Sequence, residues 1–181
     1  MSRALFLDRD GVINRQIDGH YIRRWEEWEF LPGVMEGLAA LRPYFDYVFV
    51  VTNQQGMAKG LLRADELHRL HYRMRNAMAS KGITIDRIYF CPHTEESQHL
   101  CRKPWPGMAL WALAEYPDIH LSRSVMIGDK ESDMDFARQL QMPAIWFGPN
   151  VPSALPSHVL GALPHWQAPQ LQALIDEIRA L

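Results

Sequence analysis

The chain has few cysteines, almost no excess of charge and no long hydrophobic run. Its 181 residues include two cysteines, and 19 basic against 21 acidic side chains give a formal net charge of -2. Two cysteines are too few for a disulfide scaffold, and a near balance of charge does not indicate a surface for nucleic acid or acidic membranes. No apolar stretch approaches the roughly 18 residues of a membrane span, and the N-terminus enters an apolar run without a charged leader. We therefore expect a cytoplasmic protein that binds neither nucleic acid nor membrane.

The sequence also lacks internal repeats and low-complexity segments. At 181 residues, of which 48% are hydrophobic, it is long enough for one well-packed core and short for two domains of ordinary size. We expect a single domain over residues 1–181, present as a monomer.

Short apolar runs alternate with amphipathic stretches along most of the chain. Runs rich in branched or aromatic residues predict five strands, at Ala4 to Leu7, Tyr47 to Val51, Arg87 to Phe90, Ser124 to Ile127 and Ala144 to Phe147. Helical periodicity predicts helices marked by Val34 to Leu41, Leu67 to Ala77, Met108 to Glu115, Asp133 to Leu140 and Leu171 to Leu181. The segment 149–169, rich in Pro, Ser and His, predicts an irregular return. This alternation is typical of an α/β fold with a doubly wound parallel sheet.

Polar residues stand at the end of each of the first four predicted strands. They are Asp8 and Asp10 after the first strand, Thr52, Asn53 and Gln54 after the second, Cys91 and the loop to Lys103 after the third, and Asp129 and Lys130 after the fourth. In doubly wound folds a ligand binds beyond the carboxyl ends of the strands, where the strand order reverses. The sequence therefore predicts a ligand site at this edge of the sheet.

The acids Asp8 and Asp10 suit phosphoryl transfer. A carboxylate can attack phosphorus and form an aspartyl-phosphate, and two carboxylates at positions i and i+2 can share one hard cation such as Mg²⁺. We expect Asp8 to attack and Asp10 to protonate the leaving alcohol. Because a free Asp titrates at about 3.9, this role predicts that neighbouring carboxylates or burial raise the pKa of Asp10.

Other residues at the strand ends supply the rest of such a site. Thr52 offers a hydroxyl and Lys103 a positive charge to the phosphoryl oxygens, and phosphoryl transfer is catalysed mostly by positioning and charge neutralisation. Asp129 is expected to complete the Mg²⁺ site. Asp133 fits equally well as a partner of these groups and as an acid in the first turn of a helix, so both alternatives stay open.

The loop after the third predicted strand carries a second set of metal ligands. Cys91, His93, His99 and Cys101 supply two thiolates and two imidazoles, a set suited to tetrahedral Zn²⁺. Four protein ligands would leave no open position, which favours a structural role. The alternatives are two unrelated thiols or a disulfide, which cytosolic conditions disfavour. A clamped loop would hold the neighbouring Lys103 toward the phosphate.

Together these motifs resemble those of a known superfamily. Asp8-x-Asp10-Gly11-Val12, Thr52, Lys103 and Gly128-Asp129-x-x-x-Asp133 match, in order, the four motifs of the haloacid dehalogenase superfamily. Longer runs narrow the resemblance to the D-glycero-D-manno-heptose 1,7-bisphosphate phosphatases and the related histidinol phosphatases. Those runs are Thr52 to Gly60, Cys91-Pro92-His93, Cys101-Arg102-Lys103-Pro104, Pro106-Gly107-Met108 and Gly128-Asp129-Lys130.

The resemblance implies a capless core of the haloacid dehalogenase type and assigns further residues. It implies that Asn53, Gln54, Arg102 and Lys130 contact substrate. It also implies that Asp8, the backbone of Asp10, and Asp129 hold Mg²⁺. One departure concerns the zinc loop, where His99 stands in place of the cysteine that is usual in the family.

The resemblance leaves the substrate to be chosen by chemistry. A bisphosphate needs cationic partners for the phosphate that is not transferred, and Arg102 and Lys130 can supply them. Histidinol phosphate carries an amine there and would prefer acids. We therefore expect a small phosphate ester as substrate, heptose 1,7-bisphosphate before histidinol phosphate or another small sugar phosphate.

Two alternatives from other classes stay open. A receiver-like signalling module also uses an Asp phosphoacceptor, a cation, Thr and Lys, but holds the phosphate instead of hydrolysing it. A zinc-stabilised interaction domain would have no activity at all.

Overall fold

The computed structural model describes residues 2–17, 19–167 and 170–181, which contain one six-stranded, fully parallel sheet. Its strands are β1 (Ala4–Leu7), β2 (Tyr47–Asn53), β3 (Arg87–Cys91), β4 (Val125–Gly128), β5 (Ala144–Phe147) and β6 (Val159–Leu163). The strand order is β3-β2-β1-β4-β5-β6, so the order reverses between β1 and β4. This confirms the predicted doubly wound α/β fold and places the switch point of the sheet at β1 and β4.

Helices cover both faces of the sheet. They are α1 (Val34–Leu41), α2 (Ala64–Ala79), α3 (Gly107–Glu115), α4 (Glu131–Gln139) and α5 (Gln170–Ala180). Successive strand residues point to opposite faces, so Leu5 and Leu7 pack with α1, α2 and α5, whereas Ala4 and Phe6 pack with α3 and α4. Burial on both faces explains why the strands read as continuous apolar runs. In the described part of the chain, no helix has both the length and the apolar character needed to span a membrane.

The expected irregular return contains a strand that sequence analysis missed. β6 lies at the edge of the sheet and pairs with β5 through a register shift between Ala144 and Ile145. Its middle residues are only half-buried, and it contains Gly161. A short edge strand with a glycine has a weak sequence signal. Residues 168 and 169, which close the same predicted segment, lie outside the described residues.

Two strands extend further than expected, and this fixes functional positions. β2 continues through Thr52 to Asn53, and β3 continues to Cys91, so these residues end strands instead of opening loops. Register pairs Asn53 with Cys91 across the two strands. The side chains at this edge therefore start from a hydrogen-bonded sheet, which holds them more rigidly than loops would.

Candidate active site

The site is built where β1 and β4 end side by side. The Asp8 N-H donates to the Ile127 carbonyl at 2.9 Å, which extends the pairing of the two strands by one residue. Asp129 follows β4 directly, and Asp133 lies in the first turn of α4. One carboxylate oxygen from each of Asp8, Asp129 and Asp133 lies within 4.8 Å of the others. The structure thus brings three acids together in a largely buried position.

A buried lysine lies against two of these acids. Lys103 Nζ is 2.9 Å from Asp8 Oδ1 and 2.6 Å from Asp133 Oδ1. Burial alone would lower the pKa of Lys103, but the carboxylates of Asp133 and Asp8 outweigh it and raise the pKa above its usual value. Lys103 is therefore a fixed positive charge beside Asp8. Asp133, for which two roles were open, is a direct partner of this lysine as well as an acid in the first helical turn.

Asp129 is electrostatically disfavoured as a carboxylate in the acid cluster. Burial and the nearby Asp8 together raise the pKa of Asp129 to about 7, although Lys130, whose Nζ is 3.5 Å from Asp129 Oδ1, opposes the rise. Asp129 Oδ1 is buried and accepts no hydrogen bond from the residues that the structure describes. Carboxylate oxygens are the ligands that Mg²⁺ prefers. An unsatisfied buried oxygen among mutually repelling carboxylates fits a divalent cation.

The carboxylate of Asp10 does not join this cluster. Arg9 Nη2 donates to both of its oxygens at 2.8 and 2.7 Å, Asn14 Nδ2 donates to Oδ1 at 3.0 Å, and Gln54 Nε2 donates to Oδ2 at 2.8 Å. Burial favours the neutral acid, but the positive charge of Arg9 and these hydrogen bonds outweigh it, so the pKa of Asp10 lies below its usual value. The expectation of a raised pKa is therefore wrong for the substrate-free site, because its neighbours are donors and not carboxylates.

Sequence reasoning missed Arg9 and Asn14. Arg9 is 2% exposed and Asn14 is fully buried. From sequence alone, an arginine is expected to be exposed to solvent, since Arg is rarely buried without a partner. The one indication of burial in the sequence is that the adjacent Asp10 can serve as that partner.

The end of β2 adds a hydroxyl and two amides. Thr52 is buried, and its Oγ1 accepts a hydrogen bond from Gln54 Nε2 at 2.8 Å. Asn53 exchanges two hydrogen bonds with the backbone of Lys103: Nδ2 donates to the carbonyl at 3.1 Å and Oδ1 accepts from the N-H at 3.0 Å. Asn53 therefore fixes the segment that carries the lysine, in addition to lining the site.

A cavity of about 500 Å³ opens over these groups. Its floor contains Asp8, Asp10, Thr52, Lys103 and Asp133, and its rim includes Arg102 and Lys130. The other lining residues are Arg9, Gln16, Ile17, His20, Tyr21, Ile22, Asn53, Gln54, Gln55, Glu95, Gln98, Pro104, Trp105 and Ser132. Burial tends to lower the pKa of Lys130, but Asp8 and Asp129 raise it overall, so its side chain is cationic. The cavity thus has an acidic, lysine-bearing floor and a cationic rim.

The loop between β3 and α3 gathers three of the four predicted zinc ligands. Donor atoms of Cys91, His99 and Cys101 lie within 4.8 Å of one another, and His99 Nδ1 is 3.0 Å from Cys101 Sγ. The His93 ring stacks on the His99 ring with 3.8 Å between centroids. The two sulfurs are paired as a disulfide, the alternative that the sequence analysis disfavoured. The folded loop brings the two Cα atoms to 5.4 Å, which permits such a bond.

Comparison with known proteins assigns the family. A family model described as HAD-hydrolase-like matches residues 100–172. The D-glycero-alpha-D-manno-heptose-1,7-bisphosphate 7-phosphatase of Mycobacterium tuberculosis (strain CDC 1551 / Oshkosh) is 43% identical over 141 residues, covering 78% of this chain and 74% of that protein. The chain belongs to the haloacid dehalogenase (HAD) family of phosphatases. This assignment favours an enzyme of the phosphatase class over a receiver-like module or an inactive interaction domain.

Other relatives of this HAD phosphatase carry related names. A D-glycero-beta-D-manno-heptose-1,7-bisphosphate 7-phosphatase of Rhodopseudomonas palustris (strain ATCC BAA-98 / CGA009) is 37% identical over 153 residues, covering 80% of this chain and 82% of that one. The crystal structure of a D,D-heptose 1,7-bisphosphate phosphatase from B. bronchiseptica, complexed with magnesium and phosphate, superposes with a TM-score of 0.82 at 30% identity. That match covers 97% of this chain and 99% of the other.

Proposed function

We propose that this HAD phosphatase hydrolyses D-glycero-D-manno-heptose 1,7-bisphosphate at the 7-phosphate. The observation that carries the proposal is the cavity, in which Asp8 lies against a buried lysine on the floor while Arg102 and Lys130 stand at the rim. A volume of about 500 Å³ is in the range of sites for small molecules. The names of the relatives support the substrate and the position of cleavage.

In the proposed first step, Asp8 acts as the nucleophile. One of its carboxylate oxygens forms a bond to phosphorus while the bond from phosphorus to the ester oxygen breaks, which leaves an aspartyl-phosphate and the alcohol. Lys103, 2.9 Å from Asp8, lies where it can balance the negative charge of the phosphoryl oxygens. The Thr52 hydroxyl accepts from Gln54 Nε2 and keeps its own hydrogen available to donate to a phosphoryl oxygen.

In the same proposal Asp10 moves the protons. It gives a proton to the departing ester oxygen and then takes one from the water that hydrolyses the aspartyl-phosphate. The substrate-free arrangement favours the carboxylate, the form needed for the second step. A bound phosphate dianion would add negative charge beside Asp10 and favour its protonated form, which the first step needs.

The acid cluster would hold Mg²⁺ through Asp8 and Asp129, with the backbone of Asp10 as a further ligand implied by the family motif. Asp133 lies close enough to contribute, although its contact with Lys103 favours a supporting role. When bound, Mg²⁺ supplies charge neutralisation for the phosphoryl group.

The cationic rim suits the phosphate that is not transferred. Arg102 and Lys130 line the cavity, and Arg102 also donates to the His93 carbonyl at 3.3 Å, which ties its position to the cysteine loop. Glu95 lines the same cavity and is the one observation that favours an amine-bearing substrate such as histidinol phosphate.

A substrate panel with Mg²⁺ tests the proposal. We expect the highest kcat/KM with heptose 1,7-bisphosphate, and the panel includes both anomers because relatives are named for each. Arg102→Met should raise KM for the bisphosphate more than for a monophosphate, because only the bisphosphate has a second phosphate whose contact with Arg102 is removed. A higher kcat/KM with histidinol phosphate would show that the assigned substrate is wrong.

A further inference from the structure

Arg9 is a buried cation that the proposed mechanism does not use. Its side chain is 2% exposed, and its own N-H donates to Asp8 Oδ1 at 2.8 Å. The residue is thereby fixed at the backbone beside the nucleophile and at the guanidinium beside Asp10. Nη1 and Nη2 have hydrogen-bond partners among the described residues, whereas Nε is buried without one, so the contacts of the two Nη atoms indicate the role of the residue.

The guanidinium makes the only charged contact with the Asp10 side chain among the described residues. Nη2 donates to both carboxylate oxygens, whereas the other two donors, from Asn14 and Gln54, are neutral amides. All of these hydrogen bonds are strengthened by the charge of the Asp10 carboxylate, but only Arg9 adds a positive charge of its own, and it reaches both oxygens. Arg9 therefore contributes most to holding the Asp10 carboxylate in one orientation.

A histidine from the neighbouring helix holds the other end of the guanidinium. His71 lies on α2, is 5% exposed, and places Nε2 at 3.1 Å from Arg9 Nη1. Arginine has donors only, so His71 Nε2 accepts this hydrogen bond and the ring is neutral with its proton on Nδ1. The Trp28 ring covers the guanidinium at 5.6 Å from its centroid, a distance suited to a cation-π contact.

We propose that Arg9 is a positioning residue that orients the Asp10 carboxylate for proton transfer, and that His71 holds Arg9 in place for this purpose. The proposal rests on the proposed function of Asp10. With Arg9 truncated, the two neutral amides alone restrain Asp10. A displacement of about 1 Å at a reacting group is enough to reduce the rate by about 100-fold.

The test compares two substrates that differ in their need for a proton. The first substrate is the sugar phosphate with the highest kcat/KM in the panel, whose leaving group is a sugar alkoxide that Asp10 must protonate. The second is p-nitrophenyl phosphate, whose leaving group, p-nitrophenolate, is a stable anion. The quantity compared is kcat/KM, which covers the steps up to the aspartyl-phosphate. Arg9→Met should lower kcat/KM about 100-fold for the sugar phosphate and less than about 10-fold for the aryl phosphate. Arg9→Lys, which keeps a cation, should recover part of the loss.

Variants of His71 on α2 test whether this histidine holds Arg9 in place, and they remain informative if Arg9→Met does not fold. His71→Leu should lower kcat/KM for the sugar phosphate by about 10-fold with a smaller effect on the aryl phosphate. His71→Gln, whose amide oxygen can accept from Arg9, should restore it. The matched control is His68→Leu, an exposed position one turn earlier, which should leave both values unchanged.

Asp10→Asn, measured beside these variants, separates the two proposals. If Asp10→Asn affects the sugar phosphate selectively and the Arg9 and His71 variants lose both substrates equally, the positioning role is overturned while the proposed function stands. If Asp10→Asn itself loses both equally, the proton-transfer role of Asp10 is wrong and the inference falls with it. If the Asp10, Arg9 and His71 variants all lose kcat/KM selectively for the sugar phosphate, both the proton-transfer role of Asp10 and the positioning role of Arg9 are supported.

Discussion

Gly11 is a residue whose lack of a side chain makes room for the acid cluster. Its φ of +92° lies in the left-handed region that side chains rarely adopt. A Cβ at this position would lie 2.7 Å from Asp129 Cγ and would overlap the carboxylate. The glycine thus serves two purposes, because it permits the turn after β1 and leaves Asp129 free to face Asp8.

Gly11→Ala should therefore damage the metal site as well as the fold. We expect unfolding free energy to fall by about 1 to 3 kcal/mol from the left-handed backbone, and Mg²⁺ affinity and kcat/KM to fall because Asp129 is displaced. The control is Gly82→Ala, which also has a positive φ, of +78°, but has no atom within 4 Å of its Cβ. Gly82→Ala should lower the free energy of unfolding and leave Mg²⁺ affinity unchanged. Equal Mg²⁺ affinity in both variants, measured by calorimetry, would contradict the role given to Gly11.

At the same scale, the motif residues could be predicted from sequence, but their protonation could not. Asp8 and Asp129 directly follow β1 and β4, and Thr52 lies near the end of β2, so all three meet at the edge where the parallel strands end. Lys103 reaches the same edge through the loop after β3. The lowered pKa of Asp10 depends on Arg9, whose burial follows from packing between distant elements. Sequence spacing carries no information on such packing.

Among the elements, the loop from β3 to α3 connects the cysteine pair with the buried Lys103. Cys91 is the last residue of β3, and the loop carries Cys101 followed by Arg102 and Lys103. The spacing correctly indicated that the cysteines and His99 approach one another. The disulfide and a zinc ion exclude each other, because Zn²⁺ requires both thiolates.

We expect the reduced protein to bind about one Zn²⁺ per chain through this loop. The measurements are metal analysis and thiol titration on protein purified with a reductant and without chelator. His99→Gln should weaken zinc binding, whereas His68→Gln, an exposed histidine on α2, should not. Oxidised protein should hold no zinc. Less than about 0.2 equivalents in fully reduced protein would leave the disulfide as the functional state of the loop.

The strands also differ in how far the local sequence predicts them. The interior strands were predictable from apolar runs because both faces of the sheet are covered. β6 was missed because it is held by pairing with β5 and by packing against α5, and its own residues include a glycine. Its pairing is a tertiary property.

At the scale of the whole molecule, the sheet holds three acids and one buried lysine at its switch point, an arrangement that opposes folding without a cation. Asp129, with a pKa of about 7, illustrates the effect. In the unfolded chain the same carboxyl titrates at about 3.9. Between these values the folded protein retains a proton that the unfolded protein has lost. Stability of the metal-free protein therefore falls as pH rises through this window, by up to about 1.4 kcal/mol per pH unit.

Magnesium should reverse this dependence, because a cation stabilises the ionised cluster and binds only the folded protein. We expect Mg²⁺ to raise the Tm of the wild-type protein more at pH 7.5 than at pH 5.5, where protons compete for Asp129. Asp129→Asn should flatten the pH dependence of the metal-free protein, raise its Tm at pH 7.5 and abolish most of the Mg²⁺ effect. Asp135→Asn, which removes a half-buried acid from the neighbouring helix α4, should change none of these. Thermal scans in EDTA and in Mg²⁺ at the two pH values provide the measurement, and an Mg²⁺ shift in Asp129→Asn equal to that of the wild type would show that the cation binds elsewhere.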